Sequence, residues 1–265
     1  MNFQVTDTLY VALAGYALGT LAALLSLFVR EKRLQYGGLL LMIAGFIAHT
    51  VWIGTICART GHPPLTNLPE SASFVAWVVF AIELGLWLRY RVYAASFFVY
   101  PLVLLLLTLS AVVGENFVAL DPELRSNVFT LHLLMSTIGV AGLLIGLAFG
   151  LLALIQDRML KNKRHGRLWE WIPSLDVCKN LSFRALAIGF SIYTVGLIAG
   201  VLWSYRTTAG LMDLRAKQIG AVTAWVLFGI LLQSYISNTY RRKRMLFVSA
   251  GAFIALVVAI LGIRG

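Results

Sequence analysis

The residues best suited to chemistry in this chain are its four histidines, His49, His62, His132 and His165. Gly38 and Gly45 precede His49 by eleven and four residues, so all three share one helical face. Small residues let helices approach closely, which turns that face toward the bundle interior. His132 begins a similar stripe, with Gly139, Gly146 and Gly150 following at 7, 14 and 18 residues and Gly142 beside them. Two neutral imidazoles from different helices can hold a haem iron from both faces. They can equally hydrogen-bond to neighbouring helices with no cofactor, and the spacing leaves both readings open. There is no CxxCH, metal-spaced cluster, paired carboxylate or nucleophile–base set, so no catalytic residue is assigned and binding is expected rather than side-chain catalysis.

Other groups have blander readings. His62, beside Pro63-Pro64, is expected to be a solvated loop residue, and His165 part of a basic surface. Glu83, about one turn from its helix end and near Arg89, reads as a snorkelling interfacial ion pair. Gln233 shares a face with Trp225 and Gly229 and is expected to make a helix–helix hydrogen bond. Trp52, Gln233, Trp203 and Trp225 are weaker cofactor-binding candidates. The Gly15/Gly19 and Gly196/Gly200 pairs are common packing devices.

These residues must be positioned by membrane helices. Of the 265 residues, 60% are hydrophobic and 12% charged, against about half and about a quarter in a soluble domain. That excludes an ordinary soluble enzyme or a disordered chain. Eight apolar runs are long enough to span a bilayer: 8–29, 36–58, 71–88, 93–113, 128–155, 183–203, 219–238 and 245–263. No alternating strand spans occur, so an all-α polytopic bundle forming one membrane domain is expected. The first run lacks a basic leader and a cleavage site, and reads as a retained helix.

The net charge of +11 would suggest nucleic-acid binding in a soluble protein. Here it is a topology signal, and no nucleic-acid partner is expected. One set of loops holds 16 Lys and Arg and the other holds 6. Basic residues stay cytoplasmic, so both termini are expected on the extracytoplasmic side of a bacterial inner membrane, with lipid as the surrounding partner. Cys57 and Cys178 then lie on opposite sides and are not expected to pair. His49 and His132 fall toward the outer face. The longest loop, 156–182, is cytoplasmic, and its Leu168-Trp-Glu-Trp-Ile172 segment reads as interfacial. In the outer loop Gly61-His-Pro-Pro-Leu-Thr-Asn-Leu-Pro-Glu-Ser71, Asn67 followed by Glu70 is a helix cap with Pro69 in the first turn. The paired prolines suit a lid over an outer pocket.

Pro64-Leu-Thr-Asn-Leu-Pro-Glu-Ser71 resembles the P-x-T-N-L-x-E-S segment of the cytochrome c assembly protein family, CcsA/ResC and its shorter HemX-like relatives. The resemblance continues through Leu131-His132, Met159-Leu-Lys-Asn-Lys163, Pro173-Ser-Leu-Asp-Val177, Phe183-Arg184, Ala187-Ile-Gly-Phe190 and Gly196-Leu-Ile-Ala-Gly200 to Trp203. It implies haem handling, haem b as cofactor, a CcsB/ResB-like partner, His132 as the first external haem ligand, and His49 as a membrane histidine found in short relatives. The family's tryptophan-rich WWD loop ends in W-D-P-K-E. Here Trp203 and Trp225 keep their spacing, but Leu214-Arg-Ala-Lys-Gln218 stands in place of that ending, so only Lys217 matches. Gln233 stands where the family has a histidine, and the chain as given stops before the second external histidine. The resemblance thus implies a degenerate member lacking the WWD motif. The alternatives are a haem-bearing or structural subunit of a respiratory electron-transfer complex, or a HemX-like regulator of glutamyl-tRNA reductase docking through loop 156–182.

Overall fold

The computed structural model describes residues 5–29, 31–113, 126–162, 172–207, 216–237 and 242–261. All regular structure among them is helical, in the order α1 (Val5–Val29), α2 (Lys32–Thr60), α3 (Leu68–Tyr90), α4 (Ser96–Val113), α5 (Asn127–Lys161), α6 (Leu175–Thr207), α7 (Ala216–Ile236) and α8 (Arg242–Leu261). Among the described residues, seven helices have the length and apolarity to cross a membrane. The eighth carries a shorter apolar stretch, Met245–Ala259. The all-α, multi-pass class expected from the apolar runs is what the chain adopts.

Two helices run well past the apolar runs that mark them. The 35 residues of α5 rise about 50 Å at 1.5 Å each, more than the roughly 30 Å hydrocarbon core requires. Hydrophobicity marks only the lipid-buried length, whereas capping determines where a helix ends. Ser174 supplies the start of α6: its carbonyl accepts from the Cys178 N–H at 3.0 Å, and Asp176 lies in the first turn. The expected loop 156–182 therefore shortens to the residues between Lys161 and Leu175. His165 and all but Ile172 of its Leu168–Ile172 segment lie outside the described residues.

The chain groups into two compact units. Unit 1 contains α1 to α4 and residues 158–173. In it α1 and α2 pack along glycine: a Cβ on Gly15 would meet the Gly45 Cα at 2.7 Å, and one on Gly38 would meet the Gly19 carbonyl at 3.0 Å. The inward face expected for Gly38, Gly45 and His49 is therefore this close contact. Helix α2 ends at Gly61, whose φ of 74° is left-handed and whose N–H bonds the Cys57 carbonyl at 2.9 Å. Asn67 then caps α3, its side chain accepting from the Glu70 N–H at 2.9 Å. Glu70 takes Thr66 N–H at 2.9 Å, Thr66 Oγ1 at 2.7 Å and Asn67 Nδ2 at 3.0 Å in return, a capping box extended by one residue.

Unit 2 contains residues 121–157 and 174–265. Its α5 and α6 also meet on glycine: a Cβ on Gly139 would stand 2.6 Å from Tyr193 Cα, and one on Gly142 3.0 Å from Gly189 Cα. Ser182 closes one end of this seam, donating to the Gly146 carbonyl at 2.8 Å while Tyr235 of α7 donates to it at 2.9 Å. Cys57 belongs to unit 1 and Cys178 to unit 2, and neither forms a disulfide.

Candidate functional site

His49 is fully buried in unit 1. Gly45, one turn earlier, leaves room for Tyr16 of α1, whose Cδ1 a Cβ at Gly45 would meet at 3.0 Å. The Tyr16 hydroxyl stands 3.3 Å from Nδ1 of His49, and Ser73 Oγ of α3 stands 2.7 Å from Nε2. Both ring nitrogens thus bond to protein hydroxyls. Trp52 is 1% exposed and packs its ring 5.9 Å from the imidazole. On the other side the rings continue from Tyr16 to Phe80 at 5.7 Å and from Phe80 to Tyr100 at 6.0 Å.

His132 is half-buried in unit 2. Its Nδ1 donates to the Gly196 carbonyl at 2.7 Å, with Ser136 Oγ at 3.3 Å. Because a carbonyl can only accept, Nδ1 carries the ring proton and the lone pair of the neutral imidazole falls on Nε2. The Gly196/Gly200 pair, which as a sequence pattern denotes only packing, is the seat of this ring: a Cβ on Gly200 would meet Nδ1 at 2.6 Å. One turn along each helix, Phe129 and Trp203 pack with ring centroids 4.7 Å apart. Trp225 donates from Nε1 to Thr194 Oγ1 at 2.9 Å and stacks on Phe190 at 5.6 Å. Gln233 lies on an exposed side of α7.

Three sequence readings change. Glu83 is not an interfacial ion pair with Arg89. It is 1% exposed and accepts from Ser96 Oγ at 2.5 Å, while the Arg89 guanidinium lies over the Tyr90 ring. Because α3 runs on to Tyr90, Glu83 stands about two turns short of its end, still deep where α4 packs against it. Gln233 makes no helix–helix hydrogen bond among the described residues, since its side of α7 is uncovered. His62 is half-buried rather than solvated, because the proline turn folds its ring inward and Nδ1 donates to the Pro63 carbonyl at 2.9 Å. Tyr16, Ser73, Ser136 and Ser96 were not singled out from the sequence. The only signal was a hydroxyl within an apolar run, which is common. Residues 208–215, part of the stretch expected to correspond to the family's WWD loop, lie outside the described residues, as does the Lys217 side chain.

Comparison with known proteins shows the family. The family profile described as Cytochrome C assembly protein matches residues 65–265. The chain belongs to this family. It is 25% identical to the cytochrome c biogenesis protein CcsA of Guillardia theta, over 97% of this chain and 90% of that protein. It is 23% identical to the protein of the same description from Mesostigma viride, over 100% and 95%. The corresponding protein of Synechococcus sp. (strain CC9605) is 23% identical, over 95% and 91%. The likeness covers essentially the whole of each chain, as expected from motifs spread between Pro64 and Trp203. The chain is a multi-pass membrane protein of the CcsA type, a family that handles haem.

Proposed function

We propose that this protein binds haem b within the membrane and works in cytochrome c maturation together with a CcsB/ResB-like partner. The observation that carries this reading is the state of His132. Its proton is committed to the Gly196 carbonyl, which gives Nε2 the lone pair an iron requires, and such an outer-shell bond is the usual way a ligating histidine is oriented. His49, within unit 1, is a further candidate ligand on this reading. Its Nε2 must then exchange the Ser73 hydroxyl for the metal, while Tyr16 keeps the ring in place. Trp52 beside His49, and separately Trp203 and Trp225 in unit 2, furnish apolar ring surface, and on this reading the family's WWD platform is lost. A bound haem would supply the iron centre; the chain's own residues orient the imidazoles and exclude water.

The charge asymmetry of the loops supports a position in a bacterial cytoplasmic membrane with both termini outside and both histidines toward the outer face. Cysteines introduced at the exposed Arg59 and Arg158, in a chain with Cys57 and Cys178 replaced by Ser, test this with an impermeant maleimide. Arg59→Cys should label from outside and Arg158→Cys only after the membrane is opened.

Reduced-minus-oxidised spectra of the purified protein test the haem reading. Wild type should show a haem b signal that His132→Ala removes and His49→Ala removes or shifts. A wild type purified from haem-replete cells with no such signal would sink the assignment. Loss of cytochrome c maturation on deletion supports the cellular role.

A further inference from the structure

Glu83 is a carboxyl inside unit 1 that the haem reading does not use. It is 1% exposed. Ser96 donates to Oε1 at 2.5 Å, and Oε2 is equally buried with no hydrogen-bond partner among the described residues. Tyr100 lies beside the Glu83–Ser96 pair and is itself 2% exposed.

The charges that could balance a carboxylate are engaged elsewhere. The Arg89 guanidinium lies 5.4 Å over the Tyr90 ring and Arg91 lies 4.5 Å over the Trp87 ring. Glu31, the N-cap of α2, and Lys32 and Arg33 in its first turn are exposed, and His49 is bonded to Tyr16 and Ser73. Glu70 of α3 is bound within its own cap. The Cys57 thiol and His62 belong to the other end of α3, near Glu70 and its loop. The titratable groups left around α3 and α4 include the phenols of Tyr16, Tyr36, Tyr93 and Tyr100, none of which is a cation. A lone hydroxyl donor does not offset the desolvation of an ionised carboxylate, and such a group neutralises instead.

We propose that Glu83 is a proton-binding site of unit 1, a neutral carboxylic acid whose open oxygen, Oε2, is where a base brought against the group exchanges the proton. The ligand is the proton itself. Ser96 is a positioning residue: its hydroxyl, able to donate or accept, holds Oε1 and leaves Oε2 as the open oxygen of the acid. The helix pair thereby carries a transferable proton at no cost in buried charge.

Infrared difference spectroscopy of the full chain in lipid nanodiscs, wild type minus Glu83→Gln at neutral pH, reads this directly. The wild type should show the C=O stretch of a protonated carboxylic acid that the variant lacks, moving down in heavy water. Ser96→Ala, which removes the hydrogen bond to Oε1, should move the same band up. If Glu83→Gln removes carboxylate stretching bands and no acid band, the proposal is overturned. Should Glu83→Gln fail to fold, Ser96→Ala against wild type decides alone: a shifted acid band supports a protonated Glu83, and a change confined to carboxylate bands, or no change in the acid band, overturns it.

Discussion

The imidazole of His132 rests on the bare backbone of Gly200: a Cβ built there would meet Nδ1 at 2.6 Å and Cε1 at 2.7 Å. No other residue type lets α6 come this close while the ring keeps its bond to the Gly196 carbonyl, one turn earlier on the same helix. The glycine pair therefore positions the His132 side chain as well as packing two helices.

Gly200→Ala should push the ring off the Gly196 carbonyl, losing about 1 kcal/mol of stability, the net worth of one hydrogen bond. Haem occupancy, read by absorbance against protein concentration, should fall toward that of His132→Ala. Gly139→Ala is the contrast. Its Cβ would stand 2.6 Å from Tyr193 Cα, and backbone cannot step aside as a ring can. Overpacking there should cost about 1–3 kcal/mol in thermal unfolding in detergent.

Ser73→Ala and Tyr16→Phe each remove one partner of the fully buried His49. Each should cost about 1–3 kcal/mol, because a buried ring nitrogen is left unsatisfied. Ser73→Ala should cost more, since its bond is 2.7 Å against 3.3 Å. If His49 is a haem ligand, Ser73→Ala should leave haem occupancy intact or raise it while apo-protein stability falls.

Asn67→Ala removes the side-chain acceptor for the Glu70 N–H and should lower the unfolding free energy by about 1 kcal/mol. Glu70→Ala strips the same loop of its bonds to Thr66 and Asn67. The double variant should lose less than the sum of the two single losses, because both residues belong to one network. Strict additivity would show the two sides of the cap to be independent.

Gly15→Leu should separate α1 from α2, since even a Cβ at that position meets the Gly45 backbone at 2.7 Å. Tyr16 is the next residue along α1, so the phenol should leave His49 as the helices part. The expected result is destabilisation well beyond that of Tyr16→Phe, measured by the same thermal unfolding.

Much of the fold was legible in the residue order. Apolar runs of spanning length determine an all-α membrane protein, because the bilayer admits few other backbones. The Asn67–Glu70 cap and the glycine faces of His49 and His132 follow from local spacing, and the family follows from motifs strung along the chain. The ends of α5 and α6 were less legible, since beyond the lipid hydrophobicity no longer reports on helix length. Partners distant in sequence were not legible at all. Only tertiary packing decided that Tyr16 and Ser73 occupy both nitrogens of His49, that Gly196 sets the proton of His132, and that Glu83 is buried against Ser96 instead of reaching Arg89. A helical period says which face a side chain occupies; what that face meets depends on how neighbouring helices cross, and no single segment encodes that.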